Sequence, residues 1–175
     1  PCFLADGGVL YEKAAGTLVA YPASRAGRAF AVPEGVAAIG SGAFAGCATL
    51  ASVSLPEGLA SIGNLAFYEC ESLAAVAVPE GAIPGEMAFA GCTSLESVTL
   101  PASLVSLEEY LFLGCSSLQS IDLPAGLVSI GEGVFHGCAL ASIALPQGLL
   151  SIDNLAFFGC EQLESIFLPA SVQDI

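Results

Sequence analysis

From Ala29 onward, apolar and polar residues alternate in short bursts, as in Leu95-Glu-Ser-Val98-Thr-Leu100. Alternation with β-branched residues predicts a short strand with one buried face. Each burst stops at a proline (Pro33, Pro56, Pro79, Pro101, Pro124, Pro146 and Pro169), 22 or 23 residues after the last. Proline has no N–H to give a ladder, so the strand ends there. An aliphatic residue follows, then [IL]-[GED], then [ALV]-Phe-x-x-Cys. That last segment predicts a single helical or 3₁₀ turn on the opposite side of the unit.

A unit this small cannot bury its apolar side alone, so copies must stack. Stacking in register sets one strand per rung into a parallel sheet, about 4.8 Å per rung. The expected fold is an α/β repeat solenoid of about six rungs over 29–175, slipping by single deletions at Ala82-Ile83-Pro84-Gly85 and Cys138-Ala139-Leu140. Residues 1–28 do not fit the repeat. "VLYEKAAGTLVAYP" reads as two strands around Ala14-Ala15-Gly16, a hairpin cap over the first rung. Asp174-Ile175 stops partway through a rung, which implies a C-terminally truncated solenoid that continues in the natural protein.

The repeat L-x-x-[VI]-x-L-P-x-x-L-x-x-I-G-x-x-A-F-x-x-C, carried for example by Leu118, Ile121, Leu123, Pro124, Leu127, Ile130, Phe135 and Cys138, resembles the BspA-like type of leucine-rich repeat. That family occurs in large surface proteins of gut and oral bacteria and in some mucosal protozoa. The resemblance covers Ala29 to Ile175. It implies a curved leucine-rich repeat solenoid, an extracellular or cell-surface location, and adhesion or partner binding. Host or matrix glycoproteins such as fibronectin and fibrinogen are partners attributed to some members. No ligand motif is shared across the family, so the resemblance assigns no site residue.

Composition changes the picture in two ways. The chain is 55% apolar with a mean hydropathy of +0.79, values that hint at a membrane protein. Yet proline or glycine interrupts every apolar run well short of the ~18 residues a membrane helix needs, so this segment inserts in no membrane directly. The formal net charge is −14, and Lys13, Arg25 and Arg28 are the only basic side chains against fifteen carboxylates from Glu34 to Asp174. Phosphate backbones and anionic lipids are bound by clustered Lys and Arg, which excludes nucleic acid as a partner.

Cys47, Cys70, Cys92, Cys115, Cys138 and Cys160 return once per rung. Zinc needs four ligands converging on a point, and a line of sulfurs cannot surround an ion. One rung lies inside the Cα–Cα window of a disulfide, but side chains pointing inward in parallel are poorly placed to bond. A ladder of buried free thiols filling space is the expectation. Phe44, Phe67, Phe89, Phe112, Phe135 and Phe157 form a matching column and are expected to stack in the core.

Two strand columns are expected to point outward: Ser52, Ala75, Ser97, Ser120, Ser142, Ser165, and Ser54, Ala77, Thr99, Asp122, Ala144, Phe167. Both are small and plain apart from Asp122 and Phe167. The column after the core Phe is livelier, with Tyr68, Leu113, His136 and Phe158 as a candidate amphipathic ridge; partial burial against the next rung is the competing reading. Glu34, Glu57 and Glu80 form a carboxylate row without the converging ligands that calcium needs. The sole histidine, His136, sits in a variable column, no nucleotide or zinc-hydrolase motif occurs, and no cofactor is implied. Two functions remain: a non-catalytic binding module, or a rigid spacer that displays another domain. The oligomeric state is not written in the sequence. The ladder makes one measurable statement: thiol labelling of the native protein is expected to reach at most Cys2, rising to all seven cysteines in denaturant.

Overall fold

A computed structural model describes residues 3–175; Cys2 lies outside the described residues. Strands β1 (Phe3–Asp6), β2 (Val9–Glu12) and β3 (Thr17–Ala20) form an antiparallel meander. Each of the next four rungs adds two strands: β4 (Ala29–Ala31) and β5 (Ala38–Ile39), β6 (Ser52–Ser54) and β7 (Ser61–Ile62), β8 (Ala75–Ala77) and β9 (Ile83–Pro84), β10 (Ser97–Thr99) and β11 (Ser106–Leu107). Then come β12 (Ser129–Ile130) and β13 (Ser151–Ile152), one per rung.

The strands form three sheets, ordered β1-β2-β3-β5-β7-β9, β4-β6-β8-β10 and β11-β12-β13. The rung therefore has two strand faces where the sequence pattern predicts one. The second strand is only two residues long, such as Ser61-Ile62, too short for a period of two to show. The N-terminal segment likewise has three strands rather than two. Strand β1 is exposed along its whole length and so carries no alternation to read. Strand β3 pairs in parallel with β5, Leu18 opposite Ile39, which joins the meander to the solenoid. The two faces meet at turns after the prolines, where the N–H of Leu59 bonds to the Pro56 carbonyl at 3.3 Å and Gly58 takes φ +86°.

The third side of the rung contains no helix; none is present among the described residues, so the fold is built of strands and turns. In the rung from Gly63 to Cys70, alternate N–H groups point in different directions. Those of Ala66, Tyr68 and Cys70 close turns onto Gly63, Leu65 and Phe67, at about 3.1 Å. Those of Leu65, Phe67 and Glu69 reach the next rung, bonding to Glu86, Ala88 and Ala90 at 2.8–2.9 Å. A helix turns all its N–H groups along its own axis. Sending every second one sideways requires left-handed residues, here Leu65 at φ +60° and Glu69 at φ +55°.

The strand ladders are interrupted. Ile152 donates its N–H forward to Asp174 at 3.1 Å. Pro84, at the matching place in β9, has no N–H to give, and β9 and β11 do not pair. On the other strand face pairing ends at β10. The strands expected at Ser120–Asp122, Ser142–Ala144 and in the last rung run without ladder bonds. The deletion at Cys138-Ala139-Leu140 brings Leu140 into the core one residue early, and Ala141 still donates its N–H to the Gln119 carbonyl of the rung before at 3.0 Å.

Close packing between rungs makes Gly63 and Glu69 opposite tests. A Cβ on Gly63 falls 2.6 Å from the Ser41 backbone nitrogen, so Gly63→Ala is expected to cost about 1–3 kcal/mol. Glu69→Gly removes left-handed strain at an exposed position and is expected to raise stability by up to about 1 kcal/mol. Urea unfolding midpoints of the two variants check both.

Candidate functional site

Phe44, Phe67, Phe89, Phe112 and Phe135 are fully buried. Their rings stack face to face, with centroids 4.8–5.9 Å apart and planes within 8–11° of parallel. Phe157, half-buried, continues the stack at 5.5 Å. Tyr21 closes the other end, 5.0 Å from Phe44, and the Arg25 guanidinium lies 5.5 Å from the Tyr21 ring. The spacing of the rings is the spacing of the rungs.

The six repeat cysteines are free thiols and buried. Each also has a hydrogen-bond partner, a role that the view of them as small fillers misses. Cys70, Cys92, Cys115, Cys138 and Cys160 donate S–H to the backbone carbonyl of the Phe one rung back, with S···O distances of 3.0–3.3 Å. Cys47 does so more loosely to Tyr21, at 3.9 Å. The Phe carbonyl also takes the N–H of its own rung's cysteine, as Phe44 does from Cys47 at 3.0 Å. Alanine or valine fills similar space but gives no second donor to that buried oxygen. Burial pushes the Cys92 and Cys138 thiols up to about 12. Burial raises Cys115 well above the ordinary range and Cys160 more mildly. Cys70 is raised by its contact with Cys47 and by burial. These five thiols hold their protons at neutral pH, whereas Cys47 is lowered by its contact with Cys70. Among the described residues no group of side chains is arranged to hold a metal ion.

The exposed candidates do not come together. Tyr68, Leu113 and His136 are half-buried on the turn side, and Ala90 interrupts their column with no exposed surface. Phe158 is 60% exposed, and the His136 ring meets it edge-on with centroids 4.9 Å apart. Asp122 and Phe167 lie on the other side, on the first strand face; Phe167 is 84% exposed. The small residues around them, Ser52 to Ser165 and Ser54 to Ala144, are all exposed. One exposed row escapes the sequence reading altogether: Val105, Val128 and Leu150, before the second strands. Its signal is the repeated apolar-Ser-apolar triplet, as in Val128-Ser129-Ile130.

Six copies of the BspA-type leucine-rich repeat region match the chain over residues 24–84 and 82–175. The chain belongs to this family. A leucine-rich repeat protein of Eubacterium ventriosum superposes with a TM-score of 0.87 at 28% identity, covering 97% of this chain and 46% of its own. The Treponema pallidum leucine-rich repeat protein gives 0.83 at 31% identity, over 98% of this chain and 81% of its own. A leucine-rich cell surface protein of Faecalibacterium prausnitzii gives 0.61 at 33% identity, over 99% of this chain and 38% of its own. No curated protein matches significantly. The chain thus spans less than half of the Eubacterium structure. In bacterial proteins, BspA-type repeats form interaction or structural modules, and the solenoid is in general a non-catalytic fold.

The thiol ladder ties stability to alkaline pH. A thiol whose native pKa is raised holds its proton in the folded state after the unfolded chain has lost it, so its contribution is complete below the unfolded value. It falls as pH rises from the ordinary 9.0 toward about 12 for Cys92 and Cys138, by just over 1 kcal/mol per pH unit for each such thiol. Urea unfolding at pH 8 and pH 10.5 is expected to show this loss, and Cys92→Ala is expected to reduce its slope while costing about 1–2 kcal/mol at pH 7.

Proposed function

We propose that this chain is a non-catalytic, adhesion-type protein-binding module of a larger bacterial protein, displayed at the cell surface or secreted. The observation that carries the reading is the aromatic pair on the turn side, the exposed Phe158 with the half-buried His136 packed edge-on against it, in one column with Tyr68 and Leu113. Aromatic groups held rigidly on a regular scaffold are what protein interfaces use as anchors. Among the described residues no charged or polar side chain is buried. A desolvated acid or base, the usual mark of a catalytic site, is therefore not part of the reading. Surface placement draws support from the family and from the Faecalibacterium neighbour, itself described as a cell surface protein. The partner class proposed is a host or matrix glycoprotein.

A second reading, a stiff spacer without a ligand of its own, is favoured by the Phe stack and the unbroken turn-side ladder. Binding of the monomeric fragment to fibronectin, fibrinogen and mucins at physiological salt separates the two. Saturable binding to one of them, weakened about tenfold or more by replacing Tyr68, His136 and Phe158 with serine, is the expected result. Absence of binding to all three supports the spacer.

A further inference from the structure

The second strand face carries an apolar row in the open. Val105, Val128 and Leu150 are 57%, 40% and 41% exposed. They sit on successive rungs, with the N–H of Val128 bonded to the Val105 carbonyl and that of Leu150 to Val128, each at 2.8 Å. Ile83, 56% exposed, faces Val105 across the cleft left where Pro84 interrupts the ladder. A cluster like this, several rungs long, is more than the scattered single apolar residues normal on a surface.

Along one flank of the row runs a second, open cleft of about 430 Å³, lined by Glu108, Glu109, Asp153 and Asp174 and by the hydroxyls of Ser106, Ser129 and Ser151. No lysine or arginine follows Arg28, so the repeats supply no cation of their own to these carboxylates. Apolar surface and uncompensated negative charge side by side define the complementary partner. We propose that this face docks an extended, cationic amphipathic segment of a partner protein. Its apolar side chains cover Ile83, Val105, Val128 and Leu150, and its lysines or arginines reach the carboxylates of the neighbouring cleft. Four rungs at about 4.8 Å accommodate roughly five extended residues. The proposal rests on the reading of the chain as a protein-binding module, but it uses a different face from the Phe158 column.

The test is fluorescence anisotropy of a labelled peptide of about eight residues with alternating lysine and valine, titrated with the whole chain. Saturable, salt-sensitive binding is expected, weakened at least about tenfold by Val105→Ser/Val128→Ser/Leu150→Ser, and as much by Glu108→Gln/Glu109→Gln/Asp153→Asn. The single variant Val128→Arg is expected to weaken it comparably and guards against loss of fold in the triple variants. Neutralising Glu34, Glu57 and Glu71, which lie elsewhere, is expected to leave affinity within about twofold, and a peptide with glutamine for lysine is expected to bind at least tenfold more weakly. No saturable binding, equal loss in the Glu34/Glu57/Glu71 control, or no effect of the apolar substitutions overturns the proposal. Failure of glycoprotein binding with this peptide still bound removes the turn-side reading alone.

Discussion

Three hydrogen bonds cross every junction on the turn side, and the rest of the molecule is arranged around them. From Gly42 to Gly137, the first, third and fifth N–H of each turn segment donate to the rung ahead, without a gap through all five junctions. The middle donor is always the Phe. Its backbone is pinned at a hydrogen-bonded spacing, so its ring has a neighbour above and below at stacking distance. The two outer donors occupy the left-handed region even where the residue is Leu65, Met87 or Tyr110. Strain of this kind persists only where the surroundings over-determine the backbone. Here the over-determination is visible: a residue that relaxed to ordinary dihedrals would lose its bond to the next rung and misplace the Phe beside it.

The thiols complete this arrangement from the other direction. Ladder bonds on the turn side run from each rung to the one ahead, whereas each cysteine from Cys70 onward donates back to the Phe behind. Adjacent rungs are thus held in both senses at the same residue. The strand faces are less demanding by comparison. Each is interrupted, one at Pro84 and the other beyond β10, and the stack of Phe rings passes both places with spacings of 5.4–5.9 Å. The turn side is the spine, and the sheets tolerate local faults because the spine sets the rung spacing.

This hierarchy explains what the sequence made legible. The period, the buried Phe and Cys columns and the first strands were readable because they recur as residue types: a Phe, a Cys, a β-branched residue before a proline. What recurs only as backbone conformation was hidden. Gly46, Glu69 and Gly91 share one left-handed position, yet nothing about glutamate announces it. A helical turn was the natural reading of Ala-Phe-x-x-Cys because its i to i−3 bonds are indeed present; the alternate, outward-pointing donors are what exclude a helix. At the candidate site the spacing shows which residues share a column but not how exposed each is: Ala90 is fully buried between the half-buried Tyr68 and Leu113.

The same hierarchy bears on where partners can bind. Turn-side positions next to the Phe, from Ala45 to His136, lie between two residues whose N–H groups bond to the rung ahead. Exposure along the column runs from none at Ala90 to 60% at Phe158. Strand-side positions face outward from a scaffold whose spacing is already settled elsewhere, so they can change without disturbing the stack. Ser97, Ser120 and Ser142 on one face, and Val105, Val128 and Leu150 on the other, illustrate the freedom: small polar residues on the first, apolar residues beside carboxylates on the second. A protein that must present different surfaces on one backbone gains from that separation, because strand-side side chains can vary while the turn-side bonds keep the rung spacing.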